Sequence, residues 1–472
     1  MSRRKIVATI GPATASAGAI SRLVDAGMSV ARLNGAHGTL EWHTKVIGLL
    51  REVVPNVPIL FDIPGRKIRT ATLAHEPAFS VGDTIVFTTE LRHDGREKVP
   101  VNYPHLHEEL QAGDVFFCDD GQLRFTVMVT DGPDIVCRAE VAGILRAAKG
   151  INVPEVKLRS PTVTDRDRSM LTFAREQGVD MVGISFVDSA EQVQTIRKLI
   201  GGRSPAIVAK VENRQAMLHL EEIVAETDVI MIDRGDLAVE TMLIGVALAQ
   251  KQILEVARRA ACPVIVATEM LHSMIGSRVP TKAEVSDITN AVLDGASVLM
   301  LSGETAIGKF PEEAVAMMRG IVDLAADHVV ARNATDSGTL LDIPDAVSRA
   351  VGVLCAKAPI TKIIAVTVSG FAARMVASQM PSQPILAVSN DEGNARAMNF
   401  LPGVTGVWVD MPFHRQSVEH IPLCLHALWA RQLLDVDDLV LVVTVGYPKS
   451  GNRLNLLEVH RVADLRETLQ WE

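Results

Sequence analysis

A chain of 472 residues exceeds what one hydrophobic core organises, so roughly two to four domains are expected. With 48% hydrophobic and 22% charged residues its composition is that of an ordinary soluble globular protein, and a net charge of −9 argues against a nucleic-acid-binding surface. Cys118, Cys137, Cys262, Cys355 and Cys424 show no CxxC spacing, which argues against a zinc site and for a reducing compartment.

The opening MSRR runs directly into a strand-like segment, KIVATIG (5–11), too short and without the cleavage pattern of a signal peptide. No later apolar stretch is long enough to cross a membrane, so the expected compartment is the cytoplasm and no membrane partner is expected. The segment AGAISRLVDAG has helical period, with Ile20, Leu23 and Val24 on one face and Gly27 as its C-cap. Short β-rich runs follow at 30–36 and 59–63. Residues 70 to about 150 then lose helical period and alternate in short runs between Gly and Asp turns, the pattern of an inserted antiparallel β domain. Strand-like runs resume at 181–187, 206–212, 229–235, 263–271 and 296–304, with helical segments between most of them. Eight such runs predict a TIM (β/α)8 barrel over 1–69 and 151–335, with a small β-barrel lid domain over 70–150. The Asp-, Gly-, Ser- and Pro-containing stretch 333–345 reads as a linker. A smaller C-terminal α/β domain with a mostly parallel sheet is expected over 340–472, where SGFAARMVA reads as a turn between strands.

In a barrel of this kind the C-terminal strand ends meet at one mouth. The run IVAKVEN ends in Lys210 and Glu212, and VIMIDRGDL ends in Arg234, Gly235 and Asp236, so a lysine, two carboxylates and an arginine would face one site. Two carboxylates suit a divalent cation, and a lysine beside them suits a phosphate. The bland reading is a ring of solvated strand-end charges. Arg32, Asn34, Asp62, Thr268, Ser302 and Glu304 add further polar strand ends that stability alone does not require. No Walker A or kinase Gly-rich loop is present.

The segments KIVATIGPAT, AKVEN, RGDLA, ATEMLHSM and PTKAEVSDITNAVLDGASVLMLSGETAIGKFPEEAV, in this order, resemble the pyruvate kinase family over nearly the whole chain. The resemblance implies phosphoryl transfer from phosphoenolpyruvate to ADP, giving pyruvate and ATP. It implies Lys210 and Arg32 with Arg69 at the phosphoryl group, and Glu212 and Asp236 holding Mg²⁺ (or Mn²⁺). Thr268, Gly235 and Asp236 would hold the substrate carboxylate, with Thr268 also near the carbon that is protonated. Pro12, Asn34, His37 and Lys149 match nucleotide-lining positions, and Ser302 and Glu304 match positions behind the proton-transfer site. A homotetramer is the family's usual state.

Several positions depart from the family pattern. Ala36 and Ile63 stand where a serine and a threonine help bind K⁺ in potassium-dependent members, and Lys67 stands where independent members carry lysine. An internal ammonium at Lys67 and activity without K⁺ are therefore expected. Pro64 replaces a lysine, with Arg66 and Lys67 restoring positive charge nearby. Asp233 replaces an alanine, which leaves three outcomes open: a further metal ligand, altered substrate choice or weakened reaction. Thr367, Ser369 and Gly370 resemble a sugar-phosphate effector turn, but Phe371 stands where a basic residue often follows, so a different effector or none is equally open. Two other functions also fit a metal-binding barrel of this kind: a pyruvate-enolate lyase or aldolase, and a metabolite sensor that has lost catalysis.

Overall fold

The structure is a computed structural model that describes residues 4–471 except 155, 157, 158, 160–162, 329–341, 414–417 and 446–453. Most of the linker expected at 333–345 therefore lies outside the described residues.

Eight all-parallel strands close into a barrel: Lys5–Thr9, Val30–Asn34, Ile59–Ile63, Met181–Ile184, Ala206–Val211, Val229–Asp233, Val264–Ala267 and Val298–Leu301. Each pairs with its neighbours in chain order, and the eighth pairs back onto the first with Lys5 opposite Val298. The strands are buried along almost their whole length, as expected when helices cover the outside and side chains fill the inside. The first helix, Ala17–Asp25, starts where Ser16 accepts a hydrogen bond from the Ala19 N–H, and buries Ala19, Ile20 and Leu23. Its cap is Ala26, one residue before the predicted C-cap, and the chain reverses at Gly27 itself, which has φ +119°.

The segment between the third and fourth barrel strands forms a seven-stranded sheet that starts at Ile68–Arg69 and returns to the barrel through Gly150–Asn152. A single bridge between Thr70 and Val101 joins its two edges. Phe87, Phe116 and Phe125 fill its centre with ring centroids 5.0–5.5 Å apart. One short helix, Leu106–Glu109, interrupts the β pattern.

The C-terminal sheet has five strands in the spatial order Val404–Trp408, Ile385–Ser389, Lys362–Val366, Leu439–Thr444 and Leu456–Arg461. Only the last runs antiparallel. The segment read as a turn is instead the helix Phe371–Ser378: Gly370 at φ +76° makes the turn, and the alanines and Met375 behind it pack inward. This sheet shares one apolar core with barrel residues Val7, Val30, Leu60, Met231 and Met300, and so closes the barrel at the N-terminal end of its strands. Asp180, just before the fourth barrel strand, ties the two together. Its Oδ2 accepts from Arg51 and from the Ile59 N–H, both at 2.8 Å, and its Oδ1 pairs with Arg396 of the C-terminal domain at 2.7 Å. Among the described residues no single helix is long and apolar enough to cross a membrane.

The Asp180 carboxylate is nearly inaccessible, whereas both arginines reach solvent at their edges. Replacement Asp180→Ala takes the carboxylate from both guanidiniums, although Arg51 keeps the Val57 and Gly178 carbonyls, leaves the buried Ile59 N–H without an acceptor, and is expected to cost about 2–3 kcal/mol. Urea unfolding checks this, with Asp180→Asn losing less because it keeps one acceptor.

Candidate active site

Alternation along the fifth barrel strand puts Lys210 and Glu212 on the same, inward face. Val211 lies beside Ile232 of the sixth strand, so Glu212 and Asp233 stand level at adjacent strand ends. The helix Arg234–Thr241 begins immediately afterwards and carries Asp236 in its first turn. One oxygen from each of Glu212, Asp233 and Asp236 lies within 4.8 Å of the others, and all three residues are buried.

Lys210 sits among them. Its Nζ is 3.0 Å from Glu212 Oε2, 2.9 Å from Asp233 Oδ2 and 3.1 Å from the Ser185 hydroxyl. Burial alone would drive this ammonium to release its proton, but Glu212, Asp233 and Asp62 outweigh that and hold its pKa well above the usual lysine value. Burial raises the pKa of Glu212, with Lys210 offsetting part of the effect and Asp233 and Asp236 adding to it. For Asp233 burial also opposes ionisation, yet the contact with Lys210 prevails and the carboxyl falls below its ordinary range.

Arg32 reaches the same space from the second strand. Its Nε and Nη2 lie 2.8 and 2.6 Å from Asp62 Oδ2, and its Nη1 donates to Thr9 at 3.0 Å. Gly183 makes room for this pair: a Cβ there would lie 1.8 Å from Asp62 Oδ1. Lys67, at the base of the lid, donates to both oxygens of Asp236 at 2.6 and 2.8 Å.

Backbone strain collects around the mouth. Phe186, Thr268 and Glu269 have φ of 55°, 68° and 55°, values non-glycine residues rarely adopt. The Phe186 N–H donates to Glu212 Oε1 at 2.6 Å, and Thr268 Oγ1 accepts from the Gly235 N–H at 3.1 Å. Arg234, read from the sequence as facing the site with the carboxylates, is engaged otherwise. It donates to the Thr268 carbonyl at 2.7 Å and pairs with Asp287 at 2.6 Å, bracing the strained turn. Glu304 accepts from the Leu271 and Ser302 N–H groups at 3.0 and 2.8 Å and braces the neighbouring strand ends.

The remaining candidates lie around the mouth. Pro12 follows the first strand on the surface, and Asn34 ends the second, its Oδ1 accepting from the Ala36 N–H at 3.1 Å. His37 lies on the exposed loop beyond, where desolvation and the positive charges of Arg69 and Arg32 lower its pKa. Arg69 donates to the Ala148 carbonyl, and Lys149 pairs with Asp119 at 2.6 Å within the lid.

Two polar groups, the buried Asn152 and the half-buried Glu240, escaped the sequence reading. Asn152, where the lid returns to the barrel, donates to Asp236 at 3.3 Å and to Glu240 at 3.0 Å. Glu240 lies one helical turn after Asp236, a spacing that marks it as a neighbour on the same helix face. Four buried oxygens near the mouth have no hydrogen-bond partner: Asp62 Oδ1, Asn152 Oδ1, Glu212 Oε2 and Ser302 Oγ. Glu212 Oε2 is ion-paired with Lys210 Nζ at 3.0 Å but accepts no hydrogen bond. Orphaned oxygens beside clustered carboxylates are the donor set a hard divalent cation takes.

Burial pushes the Glu240 carboxyl up to about 7, against the weaker opposing effect of its hydrogen bond from Asn152. The folded protein thus binds this proton more tightly than the unfolded chain. Its stabilising contribution is complete below the ordinary glutamate range and is lost as pH rises through about 7. Between pH 4.5 and 8 in metal-free buffer, the wild type is expected to lose up to about 3 kcal/mol relative to Glu240→Gln. Parallel urea-stability curves for the two proteins would refute this.

Comparison with known proteins gives a consistent result. Residues 1–315 match the family described as pyruvate kinase, barrel domain, and residues 345–460 match pyruvate kinase, alpha/beta domain. The chain is 35% identical to a pyruvate kinase of Mycobacterium tuberculosis over 98% of its own length and 99% of that protein's. It is 35% identical to that of Geobacillus stearothermophilus, covering 98% and 81% of the two chains, and 36% identical to that of Thermococcus litoralis, covering 88% and 90%.

Proposed function

The chain belongs to the pyruvate kinase family, and from that premise we propose how its barrel mouth moves a phosphoryl group from phosphoenolpyruvate to ADP. Transfers of this kind need little covalent help; they need negative charge neutralised and two oxygens aligned. The observation that carries the residue assignment is the buried Lys210 ammonium, held charged beside Glu212, Asp233 and the Arg32–Asp62 pair.

In this reading Lys210 and Arg32, with Arg69 from the lid side, meet the charge of the transferring phosphoryl group. Asp62 and Thr9 keep the Arg32 guanidinium oriented, which lowers the entropy lost when the substrate binds. Thr268, with the N–H groups of Gly235 and Asp236, receives the substrate carboxylate at the start of a helix, where backbone donors and the helix dipole favour an anion. That requires the Gly235 N–H to exchange its bond to Thr268 for one to the substrate. Pro12, Asn34, His37 and Lys149 line the nucleotide, the last by leaving Asp119.

Divalent metal use belongs to the family, and the orphaned Glu212 oxygen beside Asp236 fits such an ion. Glu212 and Asp236 would hold Mg²⁺ or Mn²⁺, which supplies a Lewis acid for the phosphoryl oxygens. K⁺ is not required in this reading. Ala36 and Ile63 lack side-chain oxygens for it, and Lys67 places an ammonium there through its bonds to Asp236.

A homotetramer is supported by an apolar surface just after the site. Met242, Leu243, Ile244 and Leu248 are 68%, 74%, 90% and 72% exposed, a cluster of the kind a second copy covers. Five buried free cysteines fit a cytoplasmic setting.

The test is ATP formation from phosphoenolpyruvate and ADP with Mg²⁺, with and without K⁺. The wild type is expected to turn over equally in both. Lys210→Met should lose at least the roughly 3–4 kcal/mol, a factor of 10²–10³, that one well-placed charge contributes. A large gain with K⁺ overturns the role of Lys67, and absence of turnover in the folded wild type overturns the residue assignment.

A further inference from the structure

Asp233 is the residue at the mouth that the family pattern does not account for, since an alanine is usual there. The structure places it level with Glu212, buried, and joined to Lys210 at 2.9 Å. We propose that Asp233 is a third carboxylate ligand to the divalent cation, and that it lets this protein hold the cation before any substrate arrives. The inference rests on the divalent-cation reading of the site.

A cation bound through oxygens at roughly 2.0–2.6 Å spans ligand atoms up to about 4–5 Å apart. The oxygens of Glu212, Asp233 and Asp236, 4.8 Å or less from one another, reach the wide end of that span and need to draw together by roughly half an ångström around an ion as small as Mg²⁺. The buried Glu212 Oε2, which has no hydrogen bond besides its ion pair with Lys210, belongs to the same group of residues.

Lys67 grips both oxygens of Asp236, and Lys210 sits between Glu212 and Asp233. Once Glu212 has released the proton that burial favours, three carboxylates stand against two ammoniums and leave one net negative charge to hold a cation. With alanine at 233 the same residues balance, and a divalent cation would enter a neutral, desolvated pocket with no net attraction. Asp233 thus restores the negative charge that Lys67 removes. Arg32 and Asp62 neutralise each other and leave this balance unchanged.

Magnesium sites completed by substrate phosphates ordinarily use one or two protein carboxylates. A third carboxylate in reach shifts the site from one completed by substrate toward one that the protein assembles alone. With the Asp233 carboxylate turned to a cation, Lys210 would lose one of its two carboxylate partners and could meet an incoming anion.

The experiment titrates Mn²⁺ into the full-length, substrate-free protein, followed by calorimetry and by the Mn²⁺ electron paramagnetic resonance signal. The wild type should bind Mn²⁺ without phosphoenolpyruvate. Asp233→Ala and Asp233→Asn should each weaken that binding by roughly tenfold or more. Asp233→Asn keeps the side-chain volume, so it remains informative if the alanine variant does not fold. Affinity unchanged or tightened in both variants overturns the proposal, as does a wild type that takes up no Mn²⁺ without substrate. ATP formation on the same samples keeps the two readings apart. Turnover together with unchanged Mn²⁺ affinity in the variants removes Asp233 as a ligand and leaves the phosphotransferase intact. Weakened Mn²⁺ binding in the variants, with no ATP formed by the wild type, supports Asp233 as a ligand and refutes the assigned chemistry instead.

Discussion

Lys210 carries its charge where water hardly reaches, and an ammonium buried that way persists only if counter-charges stand within a few ångströms. Much of the mouth follows from that requirement. Two adjacent strands must end level so that Glu212 and Asp233 both reach Nζ, and their register provides this. The carboxylates in turn need donors, which come from the strained Phe186 backbone, from Lys67 and from Asn152. Even the absence of a side chain at Gly183 serves the network, because the Asp62 carboxylate that orients Arg32 lies where a Cβ would be.

Such a network needs a stiff frame, and the barrel has one. Its N-terminal end is closed by the C-terminal domain, with apolar side chains from both in one core and Asp180 binding arginines from each side. Its other end is left for chemistry. The lid joins it through two short segments, Ile68–Arg69 and Gly150–Asn152, and both touch the charged network: Lys67 immediately precedes the first, and Asn152 ends the second. A shift of the lid would therefore move Lys67 and Asn152 against Asp236, which mechanically couples the lid to the site.

The barrel was legible because its signal is local and repeated: eight short β-branched runs, each followed by a break, with one interval too long for a single crossover. The turn read at SGFAARMVA failed because Gly370 and the small residues after it look like loop composition, whereas alanines are also the best helix formers and here pack against a sheet. Arg234 was grouped with the carboxylates because it adjoins them in sequence. The first turn of a helix instead swings its side chain toward Asp287 and the Thr268 carbonyl. Asn152 and Glu240 were missed for the converse reason: one lies far from the site in sequence, and the other comes close only through helical spacing.

The sequence by itself determined which residue types stand at the strand ends, the β/α alternation, and the departures at Ala36, Ile63, Lys67 and Asp233, because these are properties of short segments. Only the tertiary structure decided which charges oppose one another. That Lys67 meets Asp236 across 169 positions, and that Asp233 meets Lys210, depends on strand register and on where the lid re-enters the barrel. Electrostatic energy falls with distance in space and is indifferent to distance along the chain, so no reading of spacing alone could assign those pairs.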